Sequence, residues 1–196
     1  MRSIQKLMVA FCCSFSIAAW PQTIENKREG QMNYKKALVD FDAFKRLVEE
    51  VEKHRSERLL GLDAFLEMSK QKNVVILDSR SDFRFNRKHL KGAIHLDFTD
   101  YTQENLTKLI PDPNTKILIY CNNNFDGDQV DFATKVFIPK KDPETQILSN
   151  RKPIMLALNI PTYINLYGYG YRNIYELNEL VRIDDKRIRF EGTVVK

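Results

Sequence analysis

Two apolar runs along the chain end abruptly in polar residues. Asn73-Val74-Val75-Ile76-Leu77 stops at Asp78, and Lys116-Ile117-Leu118-Ile119-Tyr120 stops at Cys121, followed by Asn122-Asn123-Asn124. Continuous apolar runs of this length, rich in Val and Ile, fit strands buried on both faces of a parallel sheet. The stretch between them is long enough for a crossover connection. Elsewhere the apolar positions follow a helical period. Leu38, Phe41, Phe44, Leu47, Val48 and Val51 recur at three- and four-residue spacings, which predicts an amphipathic helix. A short edge strand is expected at Arg58-Leu59-Leu60, and Leu62, Phe65, Leu66 and Met68 predict a second helix. Glu104 to Ile110 predicts a short helix stopped by Pro111. Asn159 as an N-cap and Pro161 in the first turn open another, which Gly168 and Gly170 stop. Asn173 to Leu177 predicts a further strand. Val181-Arg182-Ile183 and Ile188-Arg189-Phe190, flanking Asp184-Asp185-Lys186, predict a C-terminal hairpin. Strands alternating with helices predict an α/β fold around a central parallel sheet.

The pattern at the N-terminus is of another kind. Arg2 and Lys6 precede an apolar stretch from Leu7 to Ile17, with Ala18 and Ala19 before Trp20-Pro21. A basic start, an apolar middle and small residues match a secretory signal peptide over residues 1–19. The stretch is short for a bilayer span, which needs roughly 20 apolar residues, so no stable membrane insertion is expected. Bulky Phe11 before Cys12 argues against a lipid anchor there. Residues 20–37 are polar and aperiodic and read as a linker. Residues 38–196 then form a single domain, and export places it in the periplasm or outside the cell.

Composition adds two exclusions. The chain has 31 Lys and Arg against 26 Asp and Glu, and the excess is spread along its length, so nucleic acid is not an expected partner. Removal of residues 1–19 takes Cys12 and Cys13 with it and leaves Cys121 alone. A lone thiol forms no internal disulfide and no cysteine-rich zinc site. In an oxidising compartment such a thiol is buried or useful. Cys121 stands at the carboxyl end of a buried strand, where ligands bind in open α/β sheets.

Three ordered segments resemble a known family. Asp78-Ser79-Arg80 ends a strand run, Phe85 follows, and His89-Leu90-Lys91-Gly92-Ala93-Ile94 leads into the next strand. Tyr120-Cys121 occupies the place of an active-site strand and nucleophile. Gly170-Tyr171-Arg172-Asn173-Ile174-Tyr175-Glu176-Leu177 supplies the last motif. Together, from about Leu59 to Leu177, they resemble the rhodanese family. The resemblance implies a central parallel sheet with helices on both faces and a sulfurtransferase that uses Cys121. It implies no cofactor; the partners are a sulfur donor, such as thiosulfate or a persulfide, and a thiol acceptor, small molecule or protein. The alternative is a non-catalytic rhodanese-like module that binds another protein.

The departures from the family pattern are specific. Members commonly carry Glu where Arg84 stands and Gly where Lys88 stands. Their active-site loop is short, holds a Gly and an Arg, and runs directly into a helix. Here Cys121 is followed by Asn122, Asn123, Asn124, Phe125, Asp126 and Gly127, and an insertion over about residues 124–157 delays the helix. Protein phosphatases with a cysteine at this position need a nearby arginine to hold the phosphoryl oxygens. Phe125-Asp126-Gly127-Asp128 offers none, which disfavours that chemistry.

A sulfur-transfer cysteine needs a thiolate, and loop amides and a helix N-terminus lower a thiol pKa. The asparagines and Gly127 are expected to cradle the sulfur in this way. Asp126 and Asp128 are expected to act against it and to repel thiosulfate. Lys135, Arg151 and Lys152 are candidate cations from the insertion. Asp78 is expected to accept amides beside the Cys121 loop, and Arg80 to pair with Asp82 or Asp97. His89 is expected to pack where the chain turns. The sequence offers His54 and His95 no partner, and the tyrosines near Gly168 and Gly170 read as core.

Overall fold

The computed structural model describes residues 34–138 and 153–195. The signal segment, most of the linker, and the middle of the insertion with Arg151 and Lys152 lie outside the described residues. The chain divides into two units, Met1–Val39 and Asp40–Lys196. Of the first, only residues 34–39 are described, and they are exposed.

The second unit is built on five parallel strands. β1 (Leu59–Leu60), β2 (Val74–Asp78), β4 (Ile94–His95), β5 (Lys116–Tyr120) and β9 (Ile174–Leu177) lie in the order β1-β9-β5-β2-β4. The two apolar runs of the sequence are β2 and β5, and they are adjacent, with Asp78 opposite Tyr120. Side chains alternate across β5 as strand geometry requires. Ile117 and Ile119 enter one core with α1 (Phe41–Ser56), α4 (Gln103–Leu109) and α5 (Asn159–Gly168). Leu118 and Tyr120 enter the other with α2 (Leu62–Ser69) and the C-terminal segment. The sheet is therefore covered on both faces, as the sequence leads one to expect.

Helix α1 begins three residues later than its apolar pattern. Asp40 caps it, its side chain accepting the Ala43 N–H at 2.9 Å, so Leu38 falls outside. Only part of the apolar stripe is covered. Leu47 and Val51 pack into the core, whereas Phe41 and Phe44 are exposed. Gly168 lets the two helices approach, because a Cβ there would lie 3.1 Å from Leu47.

The expected C-terminal hairpin does not form. β10 (Val181–Arg182) pairs in parallel with β6 (Phe125–Asp126), and β11 (Phe190–Glu191) pairs antiparallel with β3 (His89–Leu90). Between them Arg182 pairs with Asp184, and Arg187 with Asp185. These local pairs close a turn that sends the two segments to different strands. Buried Ile188 anchors the chain under the sheet on the way. The apolar alternation shows each strand but cannot name its partner.

The insertion contributes to the second core rather than looping clear of it. Phe125 and Phe132 are fully buried there, their rings 4.6 Å apart. The remainder begins to close as β7 (Val136–Phe137) and β8 (Ile154–Met155), an antiparallel pair. Replacing Phe132 with alanine should destabilise the protein by about 3–5 kcal/mol, the usual cost of removing a buried ring. Urea unfolding measures this, and a loss below about 1 kcal/mol would contradict its place in the core.

Candidate active site

The carboxyl edge of the sheet gathers Asp78, His95 and Tyr120 at one level, with Cys121 immediately beyond. Asp78 is fully buried and accepts the Arg80 side chain in a fork, Nη2 at 2.7 Å and Nε at 3.0 Å, as well as the Arg80 backbone N–H at 2.9 Å. The Tyr120 hydroxyl donates to the same carboxylate and accepts the Leu90 N–H at 3.1 Å. This corrects the expected pairing of Arg80 with Asp82 or Asp97, and of Asp78 with amides of the Cys121 loop. Asp82 instead meets His95 at 2.8 Å, and Asp97 caps the turn at Thr99. The short Asp-x-Arg spacing lets Arg80 fold back on the strand that precedes it.

Arg80 has three donors' worth of reach beyond Asp78. Nη1 donates to Asn122 Oδ1 at 3.3 Å and to the Asp131 carbonyl at 3.1 Å, and Nη2 to the Lys88 carbonyl at 2.7 Å. Its guanidinium lies over the Phe132 ring, 4.6 Å from the centroid. Burial opposes its charge, yet the hydrogen bonds and charge of Asp78 hold its pKa above the ordinary arginine value. One residue therefore joins β2, the first residue after Cys121, and the insertion.

Cys121 is 1% exposed. Its N–H donates to Asn124 Oδ1 at 2.9 Å, and Asn124 in turn donates to the Leu177 carbonyl at 2.7 Å. Asn159 also donates to Asn124 Oδ1 at 3.0 Å. The Cys121 backbone is thus fixed to the ends of β9 and α5. Its Sγ accepts the N–H of Leu158, the N-cap of α5, at 3.3 Å. The helix start that the sequence places after the insertion has returned to the sulfur.

The expected lowering of the thiol pKa does not result. Burial pushes the Cys121 thiol above its ordinary value. The Leu158 and Asn122 N–H groups and the charges of Arg80 and Lys135 act in the opposite direction and fall short. Asp126 and Asp128 are directed elsewhere. Asp126 is an exposed residue of β6, and its carbonyl accepts the Ile183 N–H. Asp128 accepts Lys88 Nζ at 3.0 Å and the Asp131 N–H at 3.0 Å. Gly127 is a turn residue at φ +95, and a Cβ there would press on Ile183 at 3.2 Å, so its role is in the bend.

The other expected residues divide in the same way. Asn122 is buried beside Arg80. Asn123 accepts the Lys135 N–H at 2.7 Å and donates to Met155, clasping the β7–β8 pair. Phe125 is core. His89 stacks on Phe85 at 3.8 Å and bonds the Phe85 carbonyl through Nδ1. His54 and His95 do have partners, the Tyr163 hydroxyl for one and Asp82 for the other. Tyr163 and Tyr171 are core, whereas Tyr169 is exposed.

Sequence reasoning missed how the insertion is held. Arg84 reaches the Val130 carbonyl, Arg87 pairs with Asp131 at 2.6 Å, and Lys88 pairs with Asp128. These cations stand on or just after α3 (Asp82–Arg87). Arg84 and Lys88 are two of the departures from the family pattern, so the signal was present without its meaning.

Comparison with known proteins agrees with this architecture. A family model described as rhodanese-like domain matches residues 62–179, more than half of the chain. Among solved structures, the chain is similar to the BH2092 protein from Bacillus halodurans, at 12% identity and TM-score 0.43, covering 78% of this chain and 86% of that one. It is also similar to a rhodanese with anions from E. coli, at 17% identity and TM-score 0.34, covering 61% and 99%. No curated protein matches it. With its five-stranded parallel sheet and the matched family model, the chain belongs to the rhodanese-like domain family.

Proposed function

We propose that this protein is a sulfurtransferase or persulfide carrier that holds a sulfane sulfur on Cys121 and passes it to a thiol. The observation that carries the reading is the Leu158 N–H, donated to Cys121 Sγ from the start of α5. An N–H aimed at a sulfur from a helix start stabilises negative charge on it. In the reaction, the Cys121 thiolate attacks the outer sulfur of a persulfide donor R–S–SH. A new S–S bond forms, the donor S–S bond breaks, and its electron pair leaves with RS⁻. An acceptor thiolate then attacks the same outer sulfur and returns Cys121 to the thiolate. The exchange balances without metal or redox cofactor.

Arg80 and Asn124 act as positioning residues in this scheme. Arg80 holds Asn122 against β2, and Asn124 holds the Cys121 backbone. Neither presents a free cation to a small anion. Lys135 is the exposed cation of the described insertion that acts on the sulfur. A persulfide donor suits this environment better than dianionic thiosulfate.

A second reading is a rhodanese-like module that binds a partner without chemistry. It is favoured by the burial of Cys121 and the raised thiol pKa that follows from it. Incubation with a persulfide donor, followed by cyanide, separates the two. The transferase reading expects thiocyanate release from the wild type and none from Cys121→Ser. Because burial disfavours the thiolate, loading should still be climbing at pH about 8.5, the ordinary cysteine pKa. A wild type that never releases thiocyanate would hand the case to the binding module.

We further propose that the protein works outside the cytoplasm, in the periplasm or secreted. Support comes from Arg2 and Lys6, the apolar stretch that follows, and the small residues Ala18 and Ala19. Export would leave Cys121 as the sole thiol. Protein isolated from its native source should begin just after Ala18 or Ala19, as read by mass spectrometry. Soluble protein that retains Met1 would refute this.

A further inference from the structure

A cleft of about 340 Å³ opens beside the Cys121 loop, between the ends of β9 and α5. Its volume falls at the small end of ligand sites, which run from about 300 to 1,000 Å³. The cleft lies one residue layer from the sulfur. Asn124, in its wall, binds the Cys121 N–H, and Asn159, also in its wall, follows the Leu158 whose N–H meets Sγ.

The charge of the wall argues against an anion. Arg55 is its cation, and both ends of its guanidinium fork are taken by Glu176, at 2.6 and 2.7 Å. Glu179 adds an exposed carboxylate, with one oxygen on the Leu62 N–H at 2.8 Å. With Arg55 and Glu176 cancelling, the wall carries the surplus negative charge of Glu179. An anionic ligand would meet that charge with no free cation to offset it.

The rest of the lining has a different character. Ile160 and Leu180 are exposed apolar side chains, 46% and 68% accessible, and Met155 stands with them at 56%. Among the described residues the Asn178 side-chain amide makes no hydrogen bond, and neither does Asn159 Oδ1. Asn178 can donate and accept, and Asn159 can accept. Apolar walls with paired donor and acceptor amides match the peptide group, which presents one N–H and one C=O between carbon units.

We propose that this cleft binds an uncharged, amide-bearing thiol of about dipeptide size, the acceptor of the sulfur, alongside Cys121. The inference rests on Cys121 as the sulfur-carrying atom and names the substrate class of that site. Ile160, Leu180 and Met155 cover the carbon skeleton, and Asn178 and Asn159 bond its amides. Anionic thiols and thiosulfate are disfavoured by the same wall.

The test uses the full chain carrying Cys121→Ser, which removes the chemistry and leaves the cleft. Amide NMR spectra are followed during titration with N-acetylcysteine amide, with 3-mercaptopropionate and with thiosulfate. Saturable shifts at Ile160, Asn178 and Leu180 are expected with the uncharged amide thiol, and none there with the two anions. Leu180→Glu, an exposed change, should weaken the binding about tenfold or more. Absence of saturable shifts with the uncharged thiol, or tighter binding of either anion, would overturn the proposal. The thiocyanate assay on the wild type is independent of this readout. Binding without a persulfide upholds the cleft and removes the sulfur chemistry, whereas a persulfide without binding removes the cleft alone.

Discussion

The buried pair of Asp78 and Arg80 is the constraint on which the site depends. Two charges taken out of water carry a desolvation penalty that their mutual attraction offsets only with good geometry and full hydrogen bonding. Here the geometry is a fork, and each N–H of the guanidinium finds an oxygen: Asp78 for Nε and Nη2, Lys88 again for Nη2, and Asn122 and Asp131 for Nη1. The carboxylate is likewise filled, by Arg80 and by the Tyr120 hydroxyl. Losing one partner of such a pair costs about 3–5 kcal/mol, because the other is left charged and buried. Its value to the site is positional. It makes the end of β2, the end of β5, the first loop residue and the returning insertion into one object.

That object explains why the insertion covers the cysteine instead of leaving it open. Phe132 packs under the Arg80 guanidinium, and Asp131 and Asp128 are gripped by Arg87 and Lys88. On the far side, Asn123 clasps Lys135 and Met155, and Leu158 brings α5 down on the sulfur. The cysteine thus exchanges solvent for backbone N–H groups. The exchange raises the thiol pKa on balance, because the N–H groups return less to the thiolate than burial takes from it.

The fold was largely legible because strands buried on both faces announce themselves as unbroken apolar runs, and β2 and β5 are such runs. The position of Cys121 followed directly, since it is the first residue past β5. Pairings were less legible. The Val181 and Ile188 segments look like a hairpin, yet each found a partner far away in sequence, and nothing in local alternation encodes that. The partner of Arg80 was misjudged because Asp82 is as close in sequence as Asp78, two residues away, and only the closed sheet edge decides between them. The acidic residues after Cys121 looked adverse for the same reason. Charge is read from sequence, but direction is not, and Asp128 spends its charge on Lys88.

Arg80 bonds β2, Asn122 and the insertion at once, and Cys121 is covered where they meet. Arg80→Lys tests this most directly, because lysine keeps the charge against Asp78 and loses the fork that reaches Asn122, Asp131 and the Lys88 carbonyl. The measurement is the rate of Cys121 alkylation at neutral pH, with circular dichroism to verify that the fold persists. Loss of even one of these charged hydrogen bonds, about 1.5 kcal/mol, should raise that rate at least about tenfold. An unchanged rate in a folded Arg80→Lys protein would show that the cover over Cys121 is held by something else.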